Sequence, residues 1–305
     1  MLRCIYKLIV LISICFIPIG DVMATGKLPV FVSIAPQKYF VQQIGQDLVD
    51  VQVMIQPGAD PHTYEPKPKQ MAAMARARLY FAIGIEFEQA KLKNLSRANP
   101  QMKVVPTDQG IEKIPMDARH HGAETGGQGA QTEHGRQENS HASRGLDPHI
   151  WLSPPLVVNQ AAAIRSALQE IDPTHRLTYE ANYQAFFSEI TQLDAELKNI
   201  FADKRGLQFM VFHPAWGYFA HTYGLRQLPV EIEGKNPKPA QIRDLIEHAQ
   251  ANGIKVIFVQ PQFSARGAEL IAKEIGGQVV FADPLAEDWA DNLRQVARQI
   301  KAQLR

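Results

Sequence analysis

From Pro29 onward, short β-branched and aromatic runs alternate with stretches whose apolar side chains recur every three or four positions. The runs at 30–34, 51–55, 79–83 and 102–105 predict strands. The segment through Phe40, Val41 and Ile44, together with 69–77 and 86–98, predicts the helices between and after them. Such alternation argues for a mostly parallel sheet covered on both faces. In sheets of that kind, ligands sit beyond the carboxyl ends of the strands. An amphipathic helix at 154–171 is stopped by Asp172-Pro173. Beyond it, Tyr179, Tyr183, Phe186, Phe187, Ile190, Leu193, Leu197 and Ile200 recur at helical spacing with no Gly or Pro among them. Residues 174–202 therefore predict one helix of roughly 40 Å at ~1.5 Å per residue. Alternation restarts behind it, with strands at 208–212, 228–232, 255–259 and 278–282 and helices at 240–251, 265–275 and 287–304. The fold class predicted is α/β: two lobes with mostly parallel sheets, residues 25–173 and 203–305, joined by one long helix acting as a stiff connector.

The periodicity fails in two places, and each changes the picture. Residues 119–146 contain almost no large apolar side chain, so they bury too little surface to offset the entropy of ordering. They predict a mobile insert carrying His120, His121, His134 and His141, which then lands on a rigid apolar strand at His149-Ile150-Trp151. Residues 1–24 have the form of a secretory signal. Arg3 and Lys7 precede an apolar run at 8–17 that is too short to span a bilayer, and Val22-Met23-Ala24 supplies small residues for cleavage. Both cysteines, Cys4 and Cys15, fall in that segment, so the mature chain is expected to hold a metal through histidine, carboxylate or water alone. Ile14 stands where a lipid-attachment site would have a small residue, which favours a soluble exported protein over an anchored one. At 305 residues the chain can bury a full core. Its net charge of +1, from 32 basic and 31 acidic residues, gives no reason to expect nucleic acid or an anionic membrane as partner.

Chemistry concentrates just past predicted strands. The loop Gln56-Pro57-Gly58-Ala59-Asp60-Pro61-His62-Thr63-Tyr64-Glu65-Pro66 is stiffened by its prolines around His62. A second Asp-Pro-His stands at Asp147-Pro148-His149, and in both the aspartate or a nearby carbonyl could orient the imidazole. His213 follows the strand at 208–212, and Asp283 follows the last strand. Three imidazoles and a carboxylate suit a borderline-soft divalent ion, with zinc favoured over magnesium or calcium. Two come from each half, which puts the expected site in the cleft between lobes. His175 and His248 are expected on solvated helix surfaces, and His221 in packing.

The ordered motifs Asp60-Pro61-His62-Thr63-Tyr64-Glu65-Pro66, Asp147-Pro148-His149-Ile150-Trp151-Leu152-Ser153-Pro154, Phe212-His213 with Gly217-Tyr218-Phe219, and Asp283-Pro284-Leu285 carry a resemblance over nearly all of the mature chain. The chain closely resembles the zinc- and manganese-type metal-binding proteins of bacterial ABC uptake systems. That resemblance implies a periplasmic, non-catalytic receptor with one metal between its lobes, delivered to a membrane permease that a separate ATPase powers. Carried over position by position, it implies His62, His149, His213 and Asp283 as ligands, with water as the alternative to Asp283. Histidine rather than glutamate at position 213 points to zinc over manganese. Zinc members often carry a histidine-rich loop before the second ligand motif, where the present insert sits with only four histidines, so weak secondary metal binding is expected there. The competing readings are a manganese or iron receptor of the same transporter class, a surface adhesin and a zinc hydrolase. For the last, the sequence offers no His-Glu-x-x-His helix to build a catalytic centre. A monomer is expected.

Overall fold

A computed structural model describes residues 26–61, 63–116, 145–231 and 237–304. The signal segment, the histidine-containing insert and His62 itself therefore lie outside the described residues. The first lobe runs β1 (Leu28–Val32), α1 (Ala35–Gly45), β2 (Val49–Val53), α2 (Pro68–Met74), β3 (Leu79–Ala82), α3 (Glu86–Ala98) and β4 (Lys103–Pro106). Its strands pair in the order β2-β1-β3-β4, all parallel. The apolar runs read from the sequence are buried throughout β3, as a strand covered on both faces must be.

Two long helices follow, α4 (Pro154–Ile171) and α5 (Arg176–Ile200), separated by a 3₁₀ turn at Pro173–His175. Pro173 ends α4 because the residue before a proline is pushed out of the helical region. The second lobe repeats the plan with β5 (Gln208–Val211), α6 (Gly217–Tyr223), β6 (Arg226–Pro229), α7 (Pro239–Ala251), β7 (Val256–Val259), α8 (Arg266–Glu274), β8 (Gln278–Phe281) and α9 (Trp289–Gln303). Its sheet order is β6-β5-β7-β8, again all parallel.

The lobes share a core. α5 buries Tyr179, Tyr183, Phe186, Ile190, Leu193 and Leu197 along one stripe and packs against α1, α4 and α9. Phe40 of α1 meets Trp289 of α9 edge-on, with ring centroids 5.1 Å apart. Phe186 of α5 lies 5.9 Å from Phe40 and 6.5 Å from Trp289. One apolar cluster thus runs from Val30 in β1 through α5 to Ile300 in α9. A hinge opening of the lobes would have to break it, so α5 behaves as a strut.

Two expectations need correction. His149 does not lie on a strand. Leu146 forms an isolated antiparallel bridge with Pro115, and Ile150–Leu152 is a 3₁₀ turn. Pro148 and Pro154 bracket the apolar residues and offer no N–H to a sheet. The backbone closes local bonds instead: Ile150 N donates to Pro148 O, Leu152 N to His149 O and Ser153 N to Ile150 O. The second difference is His221, which is exposed on α6 rather than packed.

Candidate metal centre

His213 stands just past β5, where the chain leaves the sheet near the switch point between β5 and β7. Its peptide is gripped by one buried amide. His213 N donates to Gln260 Oε1 at 3.3 Å, and Gln260 Nε2 donates back to His213 O at 2.8 Å. The imidazole stacks on Phe263 with centroids 5.1 Å apart and planes 27° from parallel. Its Nδ1 lies 2.6 Å from Glu231 Oε1. Both side chains are almost wholly removed from solvent.

His149 is built by a different local device with the same result. Asp147 Oδ1 accepts from His149 N at 2.9 Å and lies 2.6 Å from His149 Nδ1. Asp147 is fully buried, and its backbone is held by Tyr218, whose hydroxyl donates to Asp147 O at 3.0 Å and accepts from Ile114 N at 3.0 Å. Burial pushes the Tyr218 phenol up to about 12, so it stays a neutral donor. Asp147 Oδ2 is buried against Gly217 without a hydrogen bond; a Cβ on that glycine would stand 2.6 Å from it.

The two imidazoles meet at 5.4 Å between centroids and 71° between planes. A carboxylate on each Nδ1 assigns the ring proton there and leaves Nε2 as the lone-pair donor, the tautomer a metal ligand needs. The pair opens on a cavity of about 30 Å³. Pro61, Ile85 and Glu86 wall it from the first lobe, and Gln262, Phe263, Pro284 and Leu285 from the second, with Trp151 beside His149. That space suits one ion or water molecule and excludes a sugar, peptide or nucleotide.

The first-lobe wall is itself braced. Glu88 accepts from Ile83 N at 2.9 Å, from Gly84 N at 2.6 Å and from Ser33 Oγ, which fixes the turn leading to Ile85 and Glu86. Gly84 has φ +84°, and a Cβ there would collide with Asp108 and Lys113. Desolvation raises the Glu88 pKa, partly offset by its hydrogen bonds to Ser33, Ile83 and Gly84.

Among the residues singled out from sequence, the structure brings His149 and His213 together. Asp283 does not line the cavity. Its Oδ1 accepts from Gln262 Nε2 at 2.9 Å and from Leu285 N at 2.9 Å, while Asn292 holds its carbonyl at 2.8 Å. Among the described residues no three His, Cys, Asp or Glu side chains converge to hold a metal. His62, His120, His121, His134 and His141 are outside the described residues. Asp147 was legible as an orienting group two residues before its histidine. Glu231 was not singled out; the signal was a carboxylate inside the apolar run 228–232. His175 pairs with Asp172 at 2.7 Å and His248 with Gln208 at 2.9 Å, both away from the cavity.

Two α/β lobes on one shared apolar core, with a one-ion cavity walled by both, define a two-lobed protein built to bind a single small ligand. The comparisons with known proteins name the group. Residues 30–303 match the family model described as zinc-uptake complex component A, periplasmic (ZnuA), and the chain belongs to that family. It is 28% identical over 263 residues to the high-affinity zinc uptake system protein ZnuA of Bacillus subtilis (strain 168), covering 85% of this chain and 79% of that one. It is 26% identical to the zinc-binding protein AdcA of Streptococcus pyogenes serotype M3, spanning 87% of this chain but 52% of AdcA. Among solved structures, a crystal structure of ZnuA superposes with TM-score 0.81 at 41% identity, covering 92% of this chain and all of that one. A zinc-bound ZnuA deletion mutant superposes at 0.80 with 42% identity, covering 92% of this chain and 98% of that one. No helix among the described residues is long and apolar enough to cross a membrane.

Proposed function

We propose that this protein is an exported receptor that captures Zn(II) through His62, His149 and His213 and delivers it to an ABC permease driven by a separate ATPase. The observation that carries the proposal is the His149–His213 pair, each imidazole fixed at Nδ1 by a buried carboxylate and both facing a one-ion cavity. Asp283 or water completes the shell; the bonds from Gln262 and Leu285 to Asp283 favour water until the side chain turns. Nitrogen-rich ligation supports zinc over manganese, which prefers carboxylate and water. Membership of the zinc-uptake family, and the zinc bound by a ZnuA mutant of the same fold, support the same cargo and a periplasmic location. The ion is cargo to be released, so a receptor rather than a hydrolase fits the site. The insert histidines supply a weaker secondary site, because so polar a sequence has little apolar surface to bury against the cost of ordering its ligands.

The test is a zinc titration of His149→Ala and His213→Ala, with manganese as competitor and circular dichroism as the folding control. Each variant should lose at least the ~10–100-fold typical of losing an orienting partner. Asp283→Ala should lose less, since water can take its place. Near-wild-type zinc affinity in either folded histidine variant, or preference for manganese in the intact protein, would overturn the proposal.

A further inference from the structure

The segment that carries His149 comes from the first half of the chain, yet four of its side-chain hydrogen bonds reach into the second lobe. Trp289 Nε1 in α9 donates to Trp151 O at 2.7 Å. Trp151 Nε1 donates in turn to Pro284 O, also at 2.7 Å, in the loop after β8. Tyr218 in α6 donates to Asp147 O, and Ser153 shares a hydrogen bond with Thr222 of the same helix at 2.8 Å. Trp151 and Trp289 are each nearly sealed from solvent, and an unmade hydrogen bond is most damaging at such positions.

We infer that Trp289 and Tyr218 are positioning residues for the metal, acting through His149. They fix the 147–153 backbone to the second lobe, whose own β5 loop presents His213. His149 and His213 then move as one body and form a half-site that stands ready before zinc arrives. The first-lobe wall at Pro61, Ile85 and Glu86 is the side from which the shell is completed. The inference rests on the proposed zinc site and adds what holds its geometry.

The experiment is a double-mutant cycle on zinc affinity, measured by calorimetry on the full mature protein. Trp289→Phe keeps an aromatic ring in the core and removes the donor to Trp151 O. Tyr218→Phe removes the donor to Asp147 O and serves if the tryptophan variant does not fold. Either change should weaken zinc roughly tenfold in the wild-type background, the scale of a lost orienting partner. In a His149→Ala background the same change should weaken it by less than about twofold, because additivity fails only for coupled groups. An equal loss in both backgrounds would show that these residues act on general stability and would overturn the inference. So would no loss in the wild-type background. If His149→Ala by itself leaves affinity unchanged, the proposed zinc site fails, and that outcome is separate from a failure of the positioning role.

Discussion

Glu231 is the sharpest place to perturb the site without touching a ligand. Its carboxylate lies 2.6 Å from His213 Nδ1, at 7% side-chain exposure. Replacing it with alanine removes that acceptor, lets the imidazole change tautomer and turn on Phe263, and leaves a buried ring N–H unmade. Losing such an outer partner typically weakens metal binding ~10–100-fold, and at about 1.4 kcal/mol per tenfold that is about 1.4–2.8 kcal/mol. Glu231→Gln keeps an oxygen at the same reach but removes the charge. Charged hydrogen bonds are roughly twice as strong as neutral ones, so glutamine should sit near the low end of the range and alanine near the high end. Competition against a fluorescent zinc chelator at neutral pH measures both, with thermal melts as the folding control. Alanine within about twofold of wild type would refute the reasoning, and so would alanine binding more tightly than glutamine.

Gly217→Ala should weaken zinc while leaving the fold intact, because the new methyl stands 2.6 Å from Asp147 Oδ2 and can be housed only by displacing the carboxylate that orients His149. Unchanged zinc affinity in the same titration would show that Asp147 can move without consequence. Glu88 predicts a pH effect on stability. Its pKa is raised in the folded state, so the folded protein bears a buried charge at high pH and takes up a proton first as pH falls. The melting temperature of wild type minus that of Glu88→Gln should therefore rise as pH falls through the folded pKa toward the unfolded value near ~4.3; a flat or falling difference contradicts it. Deleting residues 122–144 should leave the tight zinc site nearly unchanged and remove only weaker binding, as a two-site calorimetric titration would show. Loss of the tight site would assign a primary ligand to the insert.

Much of the architecture was legible because it rests on periodicity. α3 and α4 begin and end where the helical spacing and the flanking prolines put them. All eight strands stand within the two sheets, although β6 begins two residues before its apolar run. The misreading at Ile150-Trp151-Leu152 has a plain cause: a buried apolar triplet looks alike in a strand and in a turn, and the flanking prolines decide only once it is known that no sheet edge is near. The site was half legible. Asp147 is local to its histidine, so the pattern shows it. Glu231 reaches His213 across 18 residues and Trp289 reaches Trp151 across 138, and such pairs exist only after the chain has folded. Asp283 stands after its strand as expected, but its Oδ1 accepts from the amide of Gln262, a partner that spacing cannot show.

The most direct measurement is anomalous diffraction at the zinc absorption edge from crystals of the mature protein loaded with one equivalent of zinc. One strong peak is expected between the Nε2 atoms of His149 and His213, at the ~2.0–2.1 Å typical of zinc–imidazole bonds, with Pro61 in the facing wall. A principal peak on the insert histidines, or one that touches only one of the two imidazoles, would contradict the interlobe zinc site.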